Sequence, residues 1–150
     1  MASTDHSAQD PQSRSPAHPL GVQVMDEDHA RLEQAIEQAA EAPDAELPAL
    51  HAALARELAA HFAREEDLMR VHDFPGLHCH MAQHRLIVEE ARRPVAGGGA
   101  ELRRHIGVHI AQLVESHVLT LDSITAAFIR GEFSPANFDN LRLPIEPAPR

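Results

Sequence analysis

The chain has 150 residues, 23 of them acidic and 13 basic, for a formal net charge of −10. All the basic residues are arginine, and the balance argues against a nucleic-acid surface, which needs a basic face to neutralise phosphates. The single cysteine, Cys79, excludes an intramolecular disulfide, and no apolar run approaches the roughly 20 residues that cross a bilayer.

Residues 1–20 are rich in Ser, Pro, Gln and Asp, without the basic-then-apolar order of a secretory signal. They read as a disordered tail, and a cytoplasmic location is the default expectation. Aromatics make up only 3% of the chain, with no Trp or Tyr. A core without large rings is built from Leu, Ile, Val, Ala and Met, which helix bundles do readily and β-sandwiches seldom do.

Four helical segments follow. The first is expected over about 26–41, with Met25, His29, Leu32, Ile36 and Ala39 on one stripe. The second begins near residue 44 or 48 and runs to 71, with Leu54, Leu58, His61, Glu65 and Leu68 on its stripe and Pro48 in its first turn. Asp73-Phe74-Pro75-Gly76 breaks the chain. The third covers about 77–93, with Leu77, His80, His84, Ile87 and Ala91 on one face. After Pro94 and three glycines, the fourth covers about 100–130 and ends at Gly131. It carries Leu102, Ile106, His109, Leu113, His117, Leu121, Ile124 and Phe128 broadly on one side. Short connections predict an all-α, antiparallel, up-down-up-down four-helix bundle over 21–131. The extension 132–150 is expected to pack on it first, through Phe133, Phe138, Leu141, Leu143 and Ile145, and then to fray.

Every helix places histidine on its inward stripe: His29; His61 with Glu65; His80 with His84; and His117 with Asp122 nearby. A pair at i and i+4 shares one helix face, so His80 and His84 can bind one metal, and His61 and Glu65 have the same spacing. His117 and Asp122 are five apart, about 140° around an α-helical wheel, so they can flank a centre but not stack. Alone, an inward histidine is more often a satisfied core residue, and a glutamate beside one is often a solvated face, as Glu66 and Asp67 illustrate. Together, five imidazoles and two carboxylates buried without a metal would leave several unpaired polar groups, at about 1–3 kcal/mol each. A metal turns that cost into ligation. The donors exceed one tetrahedral zinc site and suit two octahedral ions sharing carboxylates; iron fits, with zinc and manganese chemically open. The chain has no Glu-x-x-His, the signature of oxidase-type di-iron bundles. A His-rich, more positive site favours reversible O2 uptake over O–O cleavage.

MDEDH at 25–29, HFAREEDLM at 61–69, FPGLHCHMAQH at 74–84 and HVLTLD at 117–122 together resemble the hemerythrin family in its bacterial single-domain form, over roughly 20–130. The resemblance implies one iron held by His80, His84 and His117, and a second held by His29 and His61. It implies Glu65 and Asp122 as bridges together with an oxo or hydroxo group, and O2 as the ligand of the iron with two histidines. It departs from the family pattern at Leu113, where a Trp is usual, and at Val114, where a larger aliphatic usually covers the O2 pocket. That implies a looser pocket and faster autoxidation. The reading is therefore an O2 binder for storage, delivery or scavenging, not an enzyme, with an O2-consuming enzyme as a delivery partner. The alternatives are an O2 or redox sensor, a peroxidase-like di-iron enzyme, and an iron store or zinc structural site. Outside the set, His6 and His18 fall in the tail, and His51, His72 and His78 are expected to face solvent. His105 and His109 read as a polar patch, with a second metal site or an iron relay as the sharper alternative. Cys79 reads as a packing or surface thiol.

Overall fold

A computed structural model describes residues 16–132. The extension beyond 132 and His6 lie outside the described residues. Among these every regular element is helical, with no strand. Helix α1 is Gln23–Glu41, α2 is Leu47–Val71, entered through a 3-10 turn at Asp44–Glu46, and α3 is Leu77–Arg92. Pro48 sits in the first turn of α2, where its missing N–H costs nothing.

The fourth helix, α4, spans 99–129 and is not uniformly wound. Its α-helical pieces Gly99–Arg104, Ala111–His117 and Ser123–Ile129 alternate with π-helical stretches His105–Ile110 and Val118–Asp122. A π turn closes i→i+5 bonds, so each stretch rotates every later residue relative to an α wheel. The uniform stripe expected for this helix therefore fails in detail. His109 is 51% exposed, and Leu113 and Leu121 are only half-buried. Ile110, Val118, Asp122, Thr125 and Ala126 take the buried places. Side chains help hold the altered winding: the Ser123 hydroxyl donates to the Val118 carbonyl, five residues back, at 2.8 Å.

Helix α1 packs on α2 and α2 on α3, while α4 touches all three. The apolar core joins Leu32 and Ala39 to Leu54, Leu58 and Phe62, then to Ile87, Ala91, Ile106 and Ile110. These lie in the later part of α1, the earlier part of α2, the later part of α3 and the earlier part of α4. Each fully buried Leu or Ile contributes roughly 1.5–3 kcal/mol, so this half is a scaffold that needs no ligand. Arg103 on α4 donates to the carbonyls of Ala39 and Ala40 at 3.0 and 2.9 Å. It thereby satisfies groups that the end of α1 leaves open.

Order begins before α1. The Ala17 N–H donates to the Glu33 carboxylate at 3.0 Å, and Leu20 N–H donates to Asp26 at 2.7 Å. Arg130 donates to the Leu20 carbonyl, tying this lead segment to the end of α4. That end is a Schellman turn: Gly131 N–H bonds Phe128 O and Glu132 N–H bonds Ala127 O, both at 2.9 Å. Gly131 has φ +77 with nothing within 4 Å of where a Cβ would sit, so only the backbone resists a side chain. Gly131→Ala is expected to cost about 1–2 kcal/mol in urea unfolding, with no change in metal content.

Candidate metal centre

The opposite halves of the same helices carry polar groups. His29, His61, Glu65, His80, His84, His117 and Asp122 are each at most 5% exposed. Donor atoms of Glu65, His80, His84, His117 and Asp122 lie within 4.8 Å of one another, and so do those of His29, His61 and Asp122. Asp122 belongs to both groups. Its Oδ1 is 2.9 Å from His117 Nε2 and 3.0 Å from His80 Nε2, and its Oδ2 is 3.0 Å from His29 Nε2. Glu65 Oε2 is 3.2, 3.7 and 3.8 Å from the Nε2 atoms of His84, His61 and His80.

The winding of α4 explains the His117–Asp122 contact. An α-helix would hold these residues about 140° apart. The π stretch Val118–Asp122 brings residues five apart onto one face, and the two side chains touch. The sequence-based expectation that they cannot stack is thus corrected, because the helix is not α-wound there.

Ring orientation is set from behind. His61 Nδ1 is 3.1 Å from Asp28 Oδ2, His84 Nδ1 is 3.0 Å from Glu66 Oε1, and His80 Nδ1 is 2.9 Å from Thr125 Oγ1. Thr125 commits its only proton to the Leu121 carbonyl at 2.9 Å, so its oxygen accepts from the His80 Nδ1–H. When neutral, each of these three rings carries its proton at Nδ1, on the outer side, and turns an Nε2 lone pair inward. That is the usual support for metal-bound imidazole. Asp28, Glu66 and Thr125 were not picked out from sequence. Asp28 resembles its acidic neighbours Asp26 and Glu27, and only its burial beside Arg31, Arg64 and His61 distinguishes it.

Burial opposes charge throughout. It lowers His61 to about 4, against the pull of Glu65, leaving a neutral ring. At His29 burial also works downward, but contact with Asp122 outweighs it and the net shift is upward; at His84 contact with Glu65 does the same. Burial would raise Asp122, yet close contact with His117, His29 and His80 holds its carboxyl well below the usual range.

The donors fit a metal. Both oxygens of Glu65, both nitrogens of His29, Nε2 of His84 and Oδ2 of Asp122 are buried without a hydrogen-bond partner. Some stand at ion-pair distance from one another, but without the direction of a hydrogen bond. Leaving them so would cost about 1–3 kcal/mol per group. The triangle of Asp122 Oδ1, His80 Nε2 and His117 Nε2 has sides of 2.9, 2.9 and 3.0 Å. Adjacent donors of an octahedral ion with bonds near 2.1 Å stand about 3.0 Å apart.

Phe62 stacks on His84 with centroids 4.0 Å apart, an apolar wall on that side. A cavity of about 370 Å³ reaches His29 and is lined by Ile36, Val114 and Val118, with His18 and Glu115 also on its lining. Leu113, next in sequence to Val114, lines a different cavity beside His117 and Cys79. Consecutive helical residues point about 100° apart, so Leu113 and Val114 do not share one pocket. Of the remaining histidines, His72 and His78 are exposed as expected, whereas His51 is only partly exposed and its Nε2 is buried. Cys79 is an exposed free thiol. No helix of the described residues is long and apolar enough to cross a membrane.

Residues 20–124 match the family model of the hemerythrin HHE cation-binding domain. The chain is also similar to a bacteriohemerythrin from Ralstonia nicotianae, 29% identical over 113 residues, which cover 73% of this chain and 82% of that protein. No solved structure matches. With the family model spanning most of its length, and with buried clusters of His, Glu and Asp able to hold metal, the chain belongs to the hemerythrin family.

Proposed function

We propose that this chain is a reversible O2-binding protein built on an antiparallel, up-down-up-down four-helix bundle. The antiparallel arrangement is supported by the way core and polar cluster divide the helices. Each set draws on alternating ends of successive helices, and the connections are short. In this reading the cofactor is a pair of iron ions joined by an oxo or hydroxo group. His80, His84 and His117 would hold one iron, His29 and His61 the other, with Glu65 and Asp122 as the carboxylates shared between them. When bound, the iron pair supplies the electrons that reversible O2 capture needs.

The chain's own residues do the rest. Asp28, Glu66 and Thr125 keep three imidazoles turned inward. Phe62, Val114 and Val118 keep the surroundings apolar, which limits entry of water and protons. The observation that carries the reading is the cavity that ends on His29, the side with fewer histidines and therefore the side with room for a ligand. Val114→Phe is expected to slow O2 association by roughly tenfold or more, because the close-packed interior has no other room for a ring, while iron content is unchanged. Stopped-flow mixing of the reduced, iron-loaded protein with O2 checks this; unchanged association would remove this cavity as the route. A cytoplasmic store or scavenger, or a donor to an O2-consuming enzyme, would use the same chemistry.

A peroxidase-like role is the second reading. It draws on His18 and Glu115, paired at 3.4 Å on the lining of that cavity, as polar groups able to handle protons. Steady-state turnover of H2O2 with a reducing co-substrate would bring that reading forward.

A further inference from the structure

Away from the first cluster, α4 carries another histidine pair on its first π-wound stretch, His105–Ile110. Both rings turn toward Glu90 near the end of α3. His109 Nε2 is 2.9 Å from Glu90 Oε1, and His105 Nδ1 is 4.0 Å from the same oxygen. One donor atom from each of the three lies within 4.8 Å of the others. His105 is only 5% exposed, and its other nitrogen, Nε2, is buried without a hydrogen-bond partner.

A cation already stands at this spot. Arg93 Nε donates to Glu90 Oε1 at 2.8 Å, and Arg93 Nη2 is 3.4 Å from His105 Nδ1. An arginine cannot accept, so His105 presents a lone pair at Nδ1. The guanidinium therefore lies between an imidazole lone pair and a carboxylate oxygen, where a metal ion would bind. Its side chain is 51% exposed and can swing into solvent.

We propose that Glu90, His105 and His109 form a second metal site that takes one zinc-class divalent ion, with Arg93 as its displaceable occupant. Two imidazoles and one carboxylate make a three-ligand set that zinc accepts with an open fourth position. Tetrahedral donors with bonds of about 2.0–2.1 Å stand roughly 3.3 Å apart, and the observed 2.9 and 4.0 Å separations bracket that value. Burial, with Arg93 and His51 beside it, lowers His105 from its ordinary value, which favours the neutral ring that the Arg93 contact already requires. A cavity of about 530 Å³ borders His105 and His109 and leaves room for a water as fourth ligand. Bound there, the ion ties the end of α3 to α4 across the 93–98 connection. None of the three residues belongs to the cluster assigned to O2 binding, so the site stands or falls independently of that reading.

The test is a Zn2+ titration of the full, iron-loaded chain against a chromophoric zinc chelator, with iron content followed in parallel. Wild type is expected to take up one zinc per chain without losing iron. His109→Ala, which removes a half-exposed ring and leaves the core intact, is expected to weaken that uptake by about tenfold or more. Arg93→Ala is expected to tighten it several-fold, because a competing positive charge is gone. No such uptake, uptake unchanged in His109→Ala, weaker uptake in Arg93→Ala, or zinc entering only as iron leaves would each overturn the proposal. Should the chain hold no iron, the same comparison of wild type with the two variants is read on the metal-free protein, which separates failure of this site from failure of the first.

Discussion

Glu65→Gln is expected to cost stability chiefly in the metal-loaded protein. Both oxygens of Glu65 are buried, 1% exposed and without a hydrogen-bond partner, while three imidazole nitrogens stand 3.2 to 3.8 Å from one of them. In the proposed iron-loaded form that carboxylate would neutralise the ions it contacts. A ligand present at about 1,000 times its Kd stabilises by about 4.1 kcal/mol. At about 4 °C per kcal/mol for a domain of this size, losing the iron pair should lower the melting temperature by about 15 °C. In the metal-free protein the same carboxylate faces only imidazole nitrogens at ion-pair distance, so its burial is compensated by them alone. Glu65→Gln should therefore cost the metal-free form far less than the loaded one. Calorimetry of both forms of both proteins checks this. An equal loss in the two forms would make Glu65 a structural residue.

Asp28→Ala is expected to damage the site from outside it. Asp28 is 1% exposed and accepts from His61 Nδ1 at 3.1 Å and from Arg64 Nε and Nη2 at 2.9 and 3.0 Å, with Arg31 also bound to it. Removing it frees the His61 ring to rotate and leaves its buried N–H unpaired. Loss of such a support typically costs about 10–100-fold in metal affinity. The loss should be concentrated on the His29 and His61 side, because His80 and His84 are oriented by Thr125 and Glu66. The unpaired group and broken ion pairs should also cost roughly 3 kcal/mol of stability. Asp28→Asn, which can still accept from His61, should recover part of the affinity. Iron content at limiting iron, together with urea unfolding, reads both effects. Full affinity in Asp28→Ala would show that His61 needs no support.

The helices were legible because apolar residues recur with helical period and Pro and Gly punctuate the breaks. The expected ranges agree with the observed ones within about 1–3 residues. All seven residues suspected of ligation are buried, and the structure brings them together in two overlapping groups. His61 with Glu65 and His80 with His84 were legible from their i, i+4 spacing, and His29, His117 and Asp122 from the joint cost of burying so many polar groups. The winding of α4 was not legible. Nothing in His105–Ile110 or Val118–Asp122 distinguishes a π turn from an α turn by periodicity, so the wheel misplaced His109, Leu121 and Asp122. Asp28 and Glu66 were hidden for a different reason. A charged residue beside other charged residues reads as solvated, and its burial depends on partners 33 and 18 positions away. Thr125 is hidden likewise, because its role depends on a proton already given to Leu121. The order of residues 16–20 depends on acceptors in α1, Glu33 and Asp26, which composition alone does not reveal.

The most direct test of the O2-binding reading is to load the chain with Fe2+ without air, count the iron, and record the optical spectrum before O2, after O2 and after its removal. The expected result is two irons per chain and a visible absorption band that appears with O2 and disappears when O2 is withdrawn. A chain that retains no iron, or one that oxidises once and never returns, would contradict it.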